Sequence, residues 1–269
     1  MSAVLKLRDV YKSFGGNHVL TGISFDILSG ELVGLLGPNG CGKSTVLNAI
    51  TGYCPIERGS IELNGQRVDA LPPHEVAARA VRRTFQLPSM PARMTVGEVL
   101  MAASTQRHGL FATLLPSART KHIEAQTRER ARQLLDELLL AKVAHLPAAS
   151  ISGGQKKLLG IACALMGEPS LLLLDEPMAG VHPNLRTELM RVLKSINERG
   201  VTLVVVEHDM HFIAQTCARC IVLDRGRTVA DCTPSELEHH EGVVEAYLGR
   251  TTKTATAPLR AQGTIGATA

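Results

Sequence analysis

The chain has 269 residues, 45% of them hydrophobic and 20% charged, with a net charge of +4, which is enough apolar material for one large domain or two small ones. The mild charge and the 3% aromatic content supply neither a basic stripe nor a stacking platform, so nucleic acid is not an expected partner. The longest apolar stretches, Leu171 to Leu174 and Val201 to Val206, fall far below the ~20 residues of a membrane-spanning helix.

From the N-terminus, Met1 to Val10 alternates apolar and charged residues, a strand pattern without the apolar core of a secretory signal, so the chain is expected to stay in the cytoplasm. Strands are predicted at Leu5 to Val10, Val19 to Ile27 and Ile61 to Leu63, with a fully buried strand at Leu32 to Leu36. After that buried strand comes Gly37-Pro38-Asn39-Gly40-Cys41-Gly42-Lys43-Ser44-Thr45, then a helical run ending near Gly52. This is the P-loop pattern in its required context. The glycines let backbone N–H groups turn inward around phosphate oxygens, and the following helix adds its positive end. Lys43 would reach the β- and γ-phosphates of ATP, and Ser44 would bind Mg²⁺.

From Ser117 to Leu140 the pattern becomes charged, with Ile123, Leu134, Leu135, Leu138 and Leu139 as the apolar stripe of a helical subdomain. Ser152 is placed to cap a helix starting at Gly153, whose exposed N–H groups would bind a second anion. Leu171 to Leu174 then reads as a buried strand ending in Asp175 and Glu176. Asp175 should hold magnesium through water, and a backbone turn at the strand end would let Glu176 act on the attacking water. The helical run with Leu185, Leu189, Val192, Leu193 and Ile196 leads to the strand at Val201 to Val206, a parallel crossover unit.

Six cysteines, Cys41, Cys54, Cys163, Cys217, Cys220 and Cys232, read as reduced thiols. Cys217 and Cys220 have metal-ligand spacing, yet a zinc site needs four placed ligands and the sequence offers no second tight pair. Thr233, Pro234 and Glu236 signal an N-cap, a first-turn proline and a capping-box acid, predicting one short helix running to about Tyr247. Residues 250–269 are rich in Thr, Ala and Gly and are expected to form a flexible tail.

With both phosphate-binding elements present, Ile151-Ser152-Gly153-Gly154-Gln155 decides among ATPase families, because it resembles the signature of ABC ATPases and precedes the Asp175-Glu176 strand by the family's short helical interval. The resemblance covers residues 4–249. It implies an α/β fold: a P-loop NTPase core of mixed or parallel sheet flanked by helices, with an N-terminal antiparallel β subdomain (4–86 and 168–249 together), and a helical subdomain (87–167) carrying the signature. It further implies that Phe14, with Tyr11 close enough to compete, stacks on adenine. Gln86 would contact Mg²⁺ and the attacking water, His208 would contact the γ-phosphate, and Ser152 to Gln155 would complete the ATP site of a second ATP-binding subunit. Transmembrane permease subunits would be the working partners, meeting the helical subdomain and the loop from Gln86 to Met94 on the inner face of the membrane.

One departure stands out. Where most members read Ser-Ala-Leu-Asp in the loop after the catalytic carboxylate, this chain has Ala179-Gly180-Val181-His182, so a contact across the pair there falls to His182 or to backbone. Ile151 in place of the usual leucine is a smaller change between apolar side chains of similar size.

Within the family, Arg83-Thr84-Phe85-Gln86, Met94-Thr95-Val96, Gly109-Leu110-Phe111, Ala179-Gly180-Val181, Glu207-His208-Asp209-Met210 and Ala246-Tyr247-Leu248-Gly249 resemble the ATP-binding subunits of branched-chain amino acid importers. Such importers also use a substrate-binding protein. Urea importers share much of this pattern. A soluble ABC ATPase would carry a second cassette or a long coiled coil, and a P-loop kinase or GTPase would leave the signature and His208 without a role.

Overall fold

The computed structural model describes residues 2–85, 89–104, 118–237 and 239–248. Gln86, the Gly109 to Leu115 stretch and the expected tail lie outside the described residues.

Strand β1 (Ala3–Phe14) pairs antiparallel with both β2 (Asn17–Leu28) and β4 (Arg58–Leu63), and β5 (Gln66–Arg67) completes a four-stranded sheet in the order β2-β1-β4-β5. Strict alternation from Leu5 and Leu7 would turn Asp9 inward. The chain avoids this with a register shift between Leu7 and Val10, where Asp9 adopts φ 46° and its N–H donates to Ser24 Oγ at 2.8 Å. This bulge returns the apolar side chain of Val10 to the core.

The second sheet has six strands: β3 (Leu32–Leu36), β6 (Val81–Arg83), β7 (Leu171–Asp175), β8 (Thr202–Val206), β9 (Arg219–Asp224) and β10 (Arg227–Cys232), in the order β10-β9-β3-β8-β7-β6. All neighbours are parallel except β9 and β10. The unbroken apolar runs follow from burial on both faces. Val33, Leu35, Leu171, Leu173, Val204 and Val206 join the four-stranded sheet and helix α1 (Lys43–Ile50) in one core, whereas Leu32, Leu36, Leu172, Leu174, Leu203 and Val205 face the helices in a second core. Each such leucine or valine contributes about 1.5–3 kcal/mol on burial.

The second core is continuous with the helical middle of the chain, where α3 (Val96–Ala102), α4 (Ala118–Glu137) and α5 (Gly153–Leu165) contribute Val96, Leu100, Ala131, Leu134, Leu158 and Leu159; α2 (Pro73–Ala78) lies instead before β6. The expected stripe needs one correction. Helix α4 stops at Glu137, Leu139 takes φ 60° and is 49% exposed, and Leu140 fills the buried place instead. Helices α6 (Pro183–Glu198) and α7 (Met210–Thr216) cover the same sheet face. A Cβ built on Gly34 would meet Ile213 Cδ1 at 2.9 Å and Cys217 Sγ at 3.6 Å, which places Cys217 within this packing.

The C-terminal helix is also not as expected. Thr233 and Glu236 do form the capping box, but they cap only a 3₁₀ turn at Pro234–Glu236. Leu237 then drops into the core at 2% exposure, turning the chain, and a separate helix α8 spans Glu241–Leu248. Among the described residues, no helix is long and apolar enough to cross a membrane.

Candidate active site

Parallel pairing brings the C-terminal ends of β3, β8, β7 and β6 to one edge of the sheet, the edge at which open α/β sheets bind ligands. Leu35 is in register with Val206, and Val206 with Asp175. The segments that follow are the Gly37 to Thr45 loop after β3, His208 after β8, Asp175 and Glu176 at the end of β7, and Thr84 and Phe85 after β6. Leu35 and Val206, 171 positions apart (206 − 35) in sequence, thus share one edge only through strand order.

The loop's shape depends on two glycines. Gly37 has φ 142°, and a Cβ there would lie 2.1 Å from the carbonyl oxygen of Leu223; Gly42 has φ 109°, and its Cβ would lie 2.8 Å from Leu20 Cδ2. Either side chain would push the loop off the two sheets it joins. Lys43 is only 9% exposed, and its ammonium donates to the Gly37 and Pro38 carbonyls at 2.7 and 2.9 Å. Gly42 caps α1 without a side-chain hydrogen bond, and no acid stands in the first turn. Asn39, Gly40 and Ser44 are exposed at the mouth, with Thr45 half-buried. A buried cation beneath an uncapped helix end is a donor set suited to phosphate oxygens. Cys41 is buried beside Lys43, and burial pushes its thiol pKa up.

The backbone of Glu176 turns as expected, with φ 47° and its N–H donating to Val206 O at 2.9 Å. Lys157 of helix α5 donates to the Glu176 carbonyl at 2.6 Å. Burial lowers the Lys157 pKa, opposed by the nearby carboxylates. Glu207, 1% exposed, accepts the Met178 N–H at 2.7 Å, and burial raises its pKa despite the N–H donors of Met178 and His208. The segment carrying Glu176 is thereby pinned on both sides of Pro177. His208 itself projects outward with 67% of its side chain exposed. Asp175 is 7% exposed and pairs with Arg83 at 2.9 Å. Ser44 and Asp175 offer hydroxyl and carboxylate oxygens, the hard donors that Mg²⁺ takes.

Ser152 caps α5 as expected, its Oγ accepting from the Gln155 N–H at 3.3 Å. The Gln155 side chain reciprocates beyond the expected cap, accepting the Ser152 N–H at 3.0 Å. The two bonds form a capping box, a motif in which the Ser cap alone is worth ~1 kcal/mol. Gly153 is exposed, while Gly154 is buried against Val181 and Leu185. Among the described residues, no hydrogen bond joins Ser152 to Gln155 with the Gly37 to Thr45 loop. His182 lies exposed just before α6, its carbonyl accepting from Leu185 and Arg186.

Of the two aromatic candidates, Phe14 ends β1 with 52% of its surface exposed, and Lys12 stands over its ring at 5.1 Å. Tyr11 is covered by Arg58 at 5.3 Å and lies against Gly22. A cation stands over each ring, and Phe14 is the more exposed of the two.

A family model described as ABC transporter matches residues 20–179. The chain belongs to the ABC transporter family. It is 32% identical to the high-affinity branched-chain amino acid transport ATP-binding protein BraF of Pseudomonas aeruginosa over 250 residues, covering 91% of this chain and 98% of BraF. It is 31% identical to the lipopolysaccharide export system ATP-binding protein LptB of Escherichia coli, covering 92% of this chain and 98% of LptB. A solved dimeric ATP-binding cassette in a post-hydrolysis state with ADP and Pi superposes with a TM-score of 0.72 at 26% identity, covering 86% of this chain and 98% of that one. This ABC cassette is an ATPase, and its α/β core with an antiparallel sheet at the N-terminus is the family's fold.

Four residues around the cassette's site had no role in the sequence reading. Arg83, Glu207 and Tyr247 fall inside the importer-like stretches, which marked their neighbourhoods without giving them a function. The Tyr247 hydroxyl accepts the Gly37 N–H at 2.9 Å, so the last described helix braces the first residue of the phosphate loop. Lys157 carried no sequence signal beyond its nearness to the signature.

Proposed function

We propose that this cassette is the ATP-hydrolysing subunit of an importer for branched-chain, nonpolar amino acids, working at the inner face of the membrane in a pair with a second ATP-binding subunit. Transmembrane permease subunits and, indirectly, a substrate-binding protein complete the assembly. The observation that carries the cargo is the match to BraF along 98% of that protein's length, together with the importer-like stretches through the site. The similarity to LptB is nearly as high, and none of the cassette's own site residues touches a cargo, so the substrate rests on likeness rather than geometry.

In this reading the loop N–H groups of residues 37–45 and the Lys43 ammonium bind the phosphates, and Phe14 stacks on adenine. Ser44, Asp175 and Gln86 would hold Mg²⁺, which when bound would offset the negative charge of the phosphates in the transition state. Glu176 accepts a proton from the attacking water as the bond from phosphorus to the ADP oxygen breaks, while His208 steadies the γ-phosphate. Ser152 to Gln155 reach the γ-phosphate bound by the partner subunit.

Disrupting the coding sequence is expected to abolish high-affinity uptake of labelled leucine, isoleucine and valine, with restoration by the intact chain but not by Glu176→Gln. Unchanged leucine uptake alongside lost urea uptake or lost lipopolysaccharide at the cell surface would overturn the cargo and leave the ATPase reading standing.

A further inference from the structure

Arg83 closes β6 three residues before Gln86, and its side chain is only 6% exposed. One terminal nitrogen lies 2.9 Å from Asp175 Oδ2, and the other donates to Asn48 Oδ1 on α1 at 2.6 Å. The guanidinium also lies over the Phe85 ring at 5.3 Å. Among the described residues, its Nε is buried without a hydrogen-bond partner. One buried cation thus joins the strand that ends in Asp175, the helix of the phosphate loop and the entry to the Gln86 segment.

Stability is a weak explanation of this arrangement, because replacing a buried ion pair by well-packed apolar side chains of the same volume is often neutral or stabilising. What the pair does supply is a permanent positive charge on the carboxylate that, in the proposed function, also serves a divalent cation. With Arg83 beside it, Asp175 has a cation hydrogen-bonded to one of its oxygens; without it, Asp175 would be a buried anion left to the more distant Lys157 and the metal for counter-charge.

We propose that Arg83 is a positioning residue that holds Asp175 and weakens its grip on the divalent cation, so that the cation binds only in company with nucleotide phosphates and leaves with ADP. The proposal rests on the ATP-site reading above and concerns how that site handles its metal.

The test is calorimetric titration of the full chain with ADP, in Mg²⁺ and in EDTA, the ratio of the two affinities being the readout. Arg83→Gln keeps planar N–H donors and removes the charge. It is expected to raise that ratio on the order of tenfold, since a unit charge sharing a carboxylate with a divalent ion repels it strongly at protein dielectric. ADP affinity in EDTA should stay within about twofold of wild type, because the phosphate loop keeps its own cation. Arg83→Lys, which restores the charge, should return the ratio to the wild-type value. An unchanged or lower ratio in Arg83→Gln, or Arg83→Lys behaving like Arg83→Gln, would overturn the proposal. Should Arg83→Gln not fold, the wild-type chain titrated with Mn²⁺ alone and followed by electron paramagnetic resonance decides: no binding at micromolar Mn²⁺ is expected, and micromolar binding abolished by Asp175→Asn would overturn it. Failure of wild type to bind ADP in either buffer would instead remove the ATP-site reading itself.

Discussion

Glu176→Gln is expected to keep MgATP binding and to lose about 10²–10⁴-fold of turnover, the range for removing a general base. The amide has the shape of the carboxylate but cannot take a proton from water. The backbone that presents it is set independently of the side chain's charge: Glu176 N–H donates to Val206 O, its carbonyl accepts from Lys157, and φ is 47°. A left-handed residue other than glycine costs ~1 kcal/mol, which the surrounding bonds must hold in place in Gln as in Glu. Binding by calorimetry and phosphate release on the same preparation separate the two quantities. Near-normal steady-state hydrolysis would show that another group activates the water.

Lys43→Ala should fail earlier, at binding. Its ammonium is the buried cation of the phosphate loop, and the Gly37 and Pro38 carbonyls that it now satisfies would be left without that donor. Losing one charge-assisted contact to phosphate weakens MgATP binding by about 10–100-fold. Calorimetric titration measures this directly, and an unchanged affinity would contradict the role given to the loop.

The parts of this cassette legible in its sequence are those in which local pattern and chemistry agree. Continuous apolar runs at Leu32 to Leu36 and Leu171 to Leu174 can be satisfied only by strands buried on both faces, and both are. Glycine spacing around Lys43 specified a loop, and Ser152 a helix start. Periodicity misplaced Leu139 because a helix end is set by one left-handed residue, which the stripe does not reveal. It also merged the Pro234–Glu236 turn with the Glu241–Leu248 helix, because a capping box marks a beginning and says nothing of length. The ties that set the site, Arg83 to Asp175, Lys157 to the Glu176 carbonyl and Tyr247 to Gly37, join segments from 19 to 210 positions apart. Only the packing of strands and helices brings such partners together, so no local pattern could announce them.

The central claim is that each ATP site is composite, with the phosphate loop of one subunit facing the signature of the other. It is tested most directly by steady-state hydrolysis in covalently linked pairs, once Ser152→Ala alone has been shown to impair the unmixed dimer. In the mixed pair, one copy carries Lys43→Ala and the other Ser152→Ala, so that one composite site bears both defects and the second has an intact loop facing an intact signature. The control places both changes in one copy beside a wild-type copy, so that every composite site carries one defect. Residual activity is expected in the mixed pair and none in the control. An active control with a dead mixed pair would mean that Ser152 serves the loop of its own chain, and would contradict the claim.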